Sequence, residues 1–172
     1  MNCCSANWRR AARSGFAKKT GILLSTLTPT TSLKRKASIR SLSLLIKRHQ
    51  PKAVPESSAP FSQVVTDDRY AYLAGLVAAD FPQGQAVLGD PEKETTAVMQ
   101  VISEILEEMG LGFSDIVRAD VHLSDLRYFD QMDSAYRQFF EGTAFPARTT
   151  TESPRLFGGS SVEITVQARL RT

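Results

Sequence analysis

The 172-residue chain contains very little cysteine and histidine. Its two cysteines, Cys3 and Cys4, lie at the start, so residues 56–172 contain no thiol. This part of the chain therefore forms no internal disulfide and offers neither a thiol nucleophile nor a thiolate metal ligand. His49 and His122 are too few and too far apart in sequence to predict a histidine metal site. The sequence thus favours neither cysteine chemistry nor a resident metal ion.

Several catalytic motifs are also absent. Lys93 is the only lysine in residues 56–172, and it lies in the polar first turn of a predicted helix, a poor place for a desolvated Schiff-base amine. The chain has no glycine-rich phosphate loop and no Gly-x-Ser-x-Gly elbow. No apolar run approaches the length of a membrane span, and none has the form of a secretion signal. We therefore expect a protein that is not secreted and does not bind a membrane.

Acidic residues are missing from the first third of the chain. Residues 1–55 hold twelve lysines and arginines and no acid, whereas residues 56–172 hold nine cations and eighteen acids. The basic isoelectric point therefore belongs to the start of the chain. An acidic main part repels a phosphate backbone, so its composition makes nucleic acid an unlikely partner. The basic segment could bind polyanions, although a solvated charge run is the usual interpretation.

Residues 1–52 do not have the composition of a folded domain. They are rich in Ser, Thr, Arg and Lys, free of acids and weakly amphipathic, which is typical of a mitochondrial or plastid transit peptide. A disordered basic tail, or a start codon placed too far upstream, are the alternatives. We therefore predict an extension over residues 1–52 and one folded domain over residues 53–172. The expected location is the cytoplasm, or the mitochondrial matrix or plastid stroma if the extension is cleaved.

The rest of the sequence alternates between strand-like and helix-like patterns. Apolar residues with a period of two predict strands, and apolar residues spaced by three and four predict helices. The predicted strands cover Phe61–Thr66, Tyr70–Ala78, Val117–Leu123, Thr149–Thr151 and Val162–Ala168. The predicted helices run from Asp90–Pro91 to Gly110 and from about Leu126 to Phe140, with a loop over residues 80–89. The order β-β-α-β-α-β-β predicts an α+β sandwich with both helices on one face of the sheet.

The second predicted helix carries an acidic residue beside its apolar stripe. Its buried stripe is expected to consist of Phe129, Met132, Tyr136 and Phe140. Asp133 lies four residues after the first of these and three before the third, so it borders the stripe. A carboxylate in that position lies either at a boundary with solvent or in a cleft.

An arginine and a glutamate near the C-terminus are the main candidate site residues. Arg148 begins a threonine-rich strand, and Glu163 lies in the last strand. Two consecutive strands joined by a loop are expected to bring these side chains close together. A guanidinium can hold a carboxylate bidentately, and a carboxylate can activate a water. The alternative is a structural ion pair, with Glu152 as another partner for the arginine, and His122 is expected to be solvated or at an interface.

Several of these segments resemble the RidA/YjgF family of imine deaminases in their order and spacing. The resemblance covers about residues 58–170, and its most specific part is Pro146–Ala147–Arg148 followed by Val162–Glu163–Ile164. The other matching segments are Ala59–Pro60–Phe61–Ser62–Gln63, Leu73–Ala74–Gly75, Val121–His122–Leu123–Ser124–Asp125–Leu126, and Tyr136 to Phe140.

The resemblance implies a chorismate-mutase-like fold, assembled as a homotrimer with sites in clefts between subunits. It implies hydrolysis of 2-imino and enamine acids, such as 2-aminoacrylate and 2-iminopropanoate, to 2-oxo acids and ammonia without a cofactor or metal. By position, Arg148 would hold the substrate carboxylate, Glu163 would orient or deprotonate a water, and the backbone carbonyl of Thr150 would help to hold that water. The substrate-binding positions would also include Phe61, Ala74, Gly75 and Asp133.

Three of these positions depart from the family's usual residues. Phe61 replaces a tyrosine, Ala74 replaces a serine, and Asp133 replaces an asparagine. A carboxylate near the pocket is expected to disfavour substrates that carry a second carboxylate. Two other functions stay open beside the deaminase: a trimer that binds small carboxylates for regulation without turnover, and a ribonuclease or translation inhibitor, which the acidic main part disfavours.

Overall fold

The computed structural model of the protein describes residues 46–171, and the predicted transit peptide or tail lies outside this range up to residue 45. The described strands are β1 (Lys47–His49), β2 (Val64–Thr66), β3 (Tyr70–Leu73), β4 (Leu76–Val77), β5 (Ile116–Leu123), β6 (Ala147–Glu152) and β7 (Val162–Arg169). The described α-helices are α1 (Pro82–Gln85), α2 (Pro91–Glu108) and α3 (Phe129–Gln138). None of the helices in this part of the chain combines the length and the apolar character needed to cross a membrane.

These strands form one mixed sheet. Its spatial order is β1-β2-β3-β7-β5-β6, and β4 pairs with β7 beyond the end of β3. The β5–β6 pair is parallel, and the other pairs are antiparallel. The last strand in sequence therefore lies inside the sheet, where every second residue of it is buried. The predicted α+β sandwich is confirmed.

Helix α2 supplies much of the core because its apolar residues recur every three or four positions. The buried core members of this helix are Val98, Met99, Val101, Ile102, Ile105 and Leu106. Asp90 accepts a hydrogen bond from the Lys93 N–H at 3.2 Å, and Pro91 occupies the first turn, so the predicted N-terminal cap is confirmed. Gly110, with a φ of 72°, follows the helix end, as predicted.

A buried carboxylate ties the start of α2 to the strand that carries Glu163. The side chain of Glu94 is fully buried and accepts hydrogen bonds from the backbone N–H groups of Gly89 and Ser161, each at 2.7 Å. Ser161 immediately precedes β7. Both bonds are charge-assisted, and the one from Ser161 is buried, so Glu94 fixes the entry of β7 relative to the helix.

The folded domain begins before the predicted boundary at residue 53. Strand β1 pairs antiparallel with β2, with Arg48 opposite Val65. Pro51 is buried, and the backbone N–H of Lys52 donates to the Glu108 carboxylate at 3.0 Å. The prediction placed these residues in the extension because their basic, short pattern does not distinguish an edge strand from a tail. Their partners in β2 and α2 make them part of the sheet.

Three further local predictions need correction. The single strand predicted over Tyr70–Ala78 is interrupted at Ala74–Gly75, so that β3 and β4 pair with different stretches of β7. The strand predicted over Phe61–Thr66 is β2, which starts only at Val64. The loop predicted over residues 80–89 contains the short helix α1, whose first turn begins at Pro82.

The second predicted helix is confirmed in its central part only. Residues 126–128 form a 3₁₀ turn that Asp125 caps through the Arg127 N–H at 2.8 Å, and α3 follows. Met132, Tyr136 and Phe140 are buried as predicted. Phe129 is 37% exposed, because it lies at the start of the helix beside Arg148 and not in the core.

Candidate functional site

Arg148 and Glu163 do not meet within one copy of the chain. Strand β5 lies between their strands, with Arg148 opposite Ala119 and Glu163 opposite His122. Directly opposite residues share a face of the sheet. Ala119 belongs to the buried core, so Arg148 lies on the helix-covered face, whereas Glu163 alternates with the core residues of β7 and lies on the other face. The expected proximity of the two side chains is therefore wrong.

Arg148 lines a pocket of about 330 Å³ on the helix side of the sheet. We call it the Arg148 pocket; its lining residues are Asp133, Tyr136, Arg137, Phe145, Pro146 and Arg148. The Arg148 side chain is only 22% exposed, and its Nη2 donates to Asp133 Oδ1 at 2.7 Å. Its partner is thus Asp133, and neither Glu163 nor Glu152. The latter instead accepts from the Leu126 N–H at 3.0 Å.

Asp133 bridges two guanidinium groups. While Oδ1 accepts from Arg148, Oδ2 accepts from Arg137 Nη2 at 2.6 Å. Burial raises the pKa of Asp133, but the two hydrogen bonds from the arginines outweigh burial and leave the pKa below its ordinary value. Asp133 is therefore ionised at neutral pH, and the three groups together carry one net positive charge.

Two aromatic rings lie against the guanidinium of Arg148. Its Cζ lies 4.9 Å from the Tyr136 ring centroid and 5.6 Å from that of Phe129, both within the range of cation–π attraction. The buried hydroxyl of Tyr136 has no hydrogen-bond partner within the described residues. Burial raises the pKa of Tyr136 to about 12, with Arg148 opposing this effect and Asp133 adding to it. The phenol is therefore neutral, and in the described part of the chain its O–H has no acceptor.

Glu163 lines a second pocket, of about 400 Å³, which we call the Glu163 pocket. Gly75 and Phe61 also line it, together with the segment Val54–Ser57. A Cβ added at Gly75 would overlap Glu163 Oε1 and would stand 3.2 Å from Thr165 Oγ1. The absence of a side chain at this position is thus what gives the carboxylate its place.

The mouth of the Glu163 pocket is apolar and open. Phe61 and Phe157 line it, and these residues are 52% and 72% exposed. Asp80 lines the same pocket and accepts from the Val77 N–H at 3.1 Å. Burial raises the pKa of Asp80, only partly opposed by this hydrogen bond. Exposed rings around a half-buried carboxylate form a surface suited to being covered by another apolar surface.

The two other predicted site residues, Ala74 and Thr150, line neither pocket, and neither does His122, which was expected to be solvated or at an interface. Ala74 lies at the strand break and donates its N–H to the Gln63 carbonyl at 2.9 Å. Thr150 lies on β6, the strand at the sheet's edge, opposite Val121. His122 lies on the same face as Glu163, and its Nδ1 is 2.7 Å from Thr151 Oγ1. Across residues 46–171, no three His, Cys, Asp or Glu side chains converge in a way that could hold a metal.

Two residues of the Arg148 pocket escaped sequence reasoning. Arg137 lies four residues after Asp133, a spacing that places a cation and an anion side by side on a helix, so this pair had a readable signal. Tyr136 was assigned to the buried stripe, and its role beside Arg148 had no such signal. Only the fold brings the ring of Tyr136, on α3, to within 4.9 Å of the Arg148 guanidinium, on β6.

The fold and the pockets define a class: small α+β domains of the chorismate-mutase-like kind that carry a half-buried arginine under a helix and a glutamate on the opposite sheet face. A family model described as endoribonuclease L-PSP matches residues 51–170. The protein belongs to this family, the RidA/YjgF family.

Its relatives in this family include proteins named as deaminases. The 2-iminobutanoate/2-iminopropanoate deaminase of Bos taurus is 36% identical over 110 residues, which cover 64% of this chain and 80% of the relative. The human protein of that name is 34% identical over 124 residues, covering 72% and 90%. The crystal structure of the Escherichia coli YjgF gene product superposes with a TM-score of 0.65 at 26% identity, covering 73% of this chain and 99% of that one. A Pyrococcus abyssi relative at 35% identity over 102 residues, covering 59% of this chain and 80% of the relative, is named only a RutC family protein.

Proposed function

We propose that this protein hydrolyses 2-imino acids to 2-oxo acids and ammonia, at sites assembled between copies of the chain. The observation that carries the proposal is the half-buried Arg148, held by Asp133 and two aromatic rings with its guanidinium lining a pocket. A guanidinium in such a place receives a carboxylate with two parallel hydrogen bonds. The names of the bovine and human relatives support imino acids as the carboxylates concerned.

The reaction needs a base, and Glu163 is the candidate. With the substrate carboxylate on Arg148, water attacks C2 while a carboxylate takes one proton from the water. As the new C–O bond forms, the C=N π electrons move to nitrogen, which takes the proton back from the carboxylate, and the product is a tetrahedral carbinolamine. Transfer of its remaining hydroxyl proton to nitrogen then breaks the C–N bond and releases the 2-oxo acid and ammonia. A positioned general base contributes about 10²–10⁴-fold to such a step.

A second copy of the chain is needed to bring the two groups together. Within one copy, two strand spacings separate Arg148 from Glu163 across the sheet, about 10 Å, and they lie on opposite faces. We therefore propose a homotrimer in which the Arg148 pocket of one copy faces the Glu163 pocket of the next. Closed cyclic symmetry makes three such contacts identical. The exposed Phe61 and Phe157 at the mouth of the Glu163 pocket are apolar surface that such a contact would cover.

The test is an assay with imino acids generated in situ by an amino acid oxidase, following 2-oxo acid release. The wild-type protein should accelerate release. Arg148→Ala should abolish the acceleration, and Arg148→Lys should lose most of it, because an ammonium cannot reproduce the guanidinium fork. Arg127→Lys is the matched control, since Arg127 is exposed and paired with Asp125 away from both pockets. Near-normal turnover by Arg148→Ala would overturn the assignment.

Subunit complementation tests the shared site. Arg148→Ala and Glu163→Gln should each be inactive alone, but mixed assemblies should recover activity, because some contacts then combine an intact Arg148 with an intact Glu163. Sedimentation equilibrium should give a trimer. A monomer at micromolar concentration, or active wild-type protein without recovery in verified mixed trimers, would contradict the arrangement. Arg148-dependent binding of 2-oxobutanoate without turnover of any imine would instead favour a carboxylate-binding regulator.

A further inference from the structure

The Arg148 pocket contains two guanidinium groups and one internal carboxylate. Both arginines line the pocket, and each donates to a different oxygen of Asp133, at 2.7 Å from Arg148 and 2.6 Å from Arg137. Arg148 is largely buried, whereas Arg137 is 62% exposed and lies over the Phe145 ring at 5.7 Å. The two cations are thus linked through a single carboxylate at the pocket wall.

The charge balance of this cluster determines which anion fits. A ligand with one carboxylate neutralises the single net positive charge of the cluster. A ligand with two carboxylates leaves one negative charge uncompensated in a partly desolvated pocket, which is unfavourable. In the proposed trimer, Glu163 of the next copy adds one more carboxylate at this pocket. It strengthens the exclusion of dicarboxylates and is the same in the wild type and in every variant of the cluster, so it does not affect the comparison between them.

We propose that Asp133 and Arg137 together form a charge filter that makes the site selective for monocarboxylates over dicarboxylates. Asp133 cancels one of the two positive charges in the pocket. Arg137 keeps the net charge of the cluster at one, which would otherwise be zero. Arg137 is thereby a specificity-determining residue although it lies at the pocket rim. This inference rests on the proposed function for the identity of the site, and it specifies the substrate class: imino acids with uncharged side chains.

The test uses binding, so it does not require turnover. Isothermal titration would measure the affinities for 2-oxobutanoate and 2-oxoglutarate, at equal ionic strength, and compare their ratio between variants. We expect the wild-type protein to favour the monocarboxylate by about tenfold, the effect of one charge-assisted hydrogen bond. In Asp133→Asn the cluster carries two positive charges, which two carboxylates can neutralise, so the ratio of the two affinities should come close to one. Arg137→Gln should weaken both ligands and widen the ratio.

The double variant separates charge from structure. Asp133→Asn combined with Arg137→Gln restores a net charge of one with different groups, so the ratio should return to within about twofold of the wild-type ratio. Arg137→Lys should behave like the wild type, and Arg127→Gln is the control for losing an arginine elsewhere. If Asp133 only held Arg148 in place, its loss would weaken both ligands equally and leave the ratio unchanged.

The outcomes distinguish this inference from the proposed function. An unchanged ratio in Asp133→Asn, no return in the double variant, or no measurable binding of either probe to the wild-type protein would overturn the filter. If Asp133→Asn fails to fold, Arg137→Gln alone decides, because Arg137 is exposed. Ratios that follow the charge without turnover of any imine would support the filter and refute the deaminase. Turnover of imines, together with affinity ratios that do not follow the cluster charge, would support the deaminase and refute the filter.

Discussion

Replacing Gly75 by alanine should strongly reduce activity while leaving the stability of the fold nearly unchanged. The added Cβ would overlap Glu163 Oε1 and would be 3.1 Å from Glu163 Cδ. The carboxylate is the free end of a flexible side chain, so it can move away by about 1 Å to restore ordinary contact distances. The backbone has no need to move. The substitution therefore displaces the proposed base and little else.

The size of the effect follows from this displacement. A misplacement of about 1 Å in a reacting group can lower a rate by about 10²-fold, so kcat/KM for an imine should fall by about that factor. The free energy of unfolding should change by less than about 1 kcal/mol, since alanine also restricts the unfolded chain. A fall in kcat with KM nearly unchanged is expected, because Arg148 is untouched.

The assay compares imine hydrolysis and thermal unfolding for Gly75→Ala and Gly112→Ala. A Cβ at Gly112 would meet nothing within 4 Å, so this second variant is a matched glycine-to-alanine control. It should keep full activity. If Gly75→Ala retains wild-type kcat/KM, the carboxylate of Glu163 does not need its observed position, and its role as the base is refuted.

Three further predictions concern stability. Glu94→Ala should lower the free energy of unfolding by about 2–5 kcal/mol in urea denaturation, because the buried Ser161 N–H and the Gly89 N–H both lose a charged acceptor; a loss below about 1 kcal/mol would contradict this role. Tyr136→Phe should leave the ligand-free protein as stable or raise its unfolding free energy by about 1 kcal/mol, since the buried hydroxyl lacks a partner in the described residues; a clear loss in calorimetry would mean that the hydroxyl is paired. A protein lacking residues 1–52 should melt at a lower temperature than one lacking residues 1–45, because only the first deletion removes β1 and buried Pro51; equal melting temperatures would show that β1 adds nothing.

Local patterns in the sequence determined most of the secondary structure. Asp90–Pro91 and Gly110 predicted the ends of α2 because caps and terminators act over a few residues. The period-two pattern of Val162–Ala168 predicted β7 and its buried face. The Pro146–Ala147–Arg148 segment and Val162–Glu163–Ile164 carried the resemblance to the family, which the match over residues 51–170 confirms.

Only the tertiary structure decided what these residues face. Strand β5 inserts between β6 and β7, and this order depends on non-local pairing that no short pattern records. It places Arg148 under α3 with Asp133 and puts Glu163 on the opposite sheet face against Gly75. The same holds for β1, whose short basic sequence becomes a strand only because β2 offers it an edge. Spacing along the chain sets which side chains are available, and the sheet order sets which of them meet.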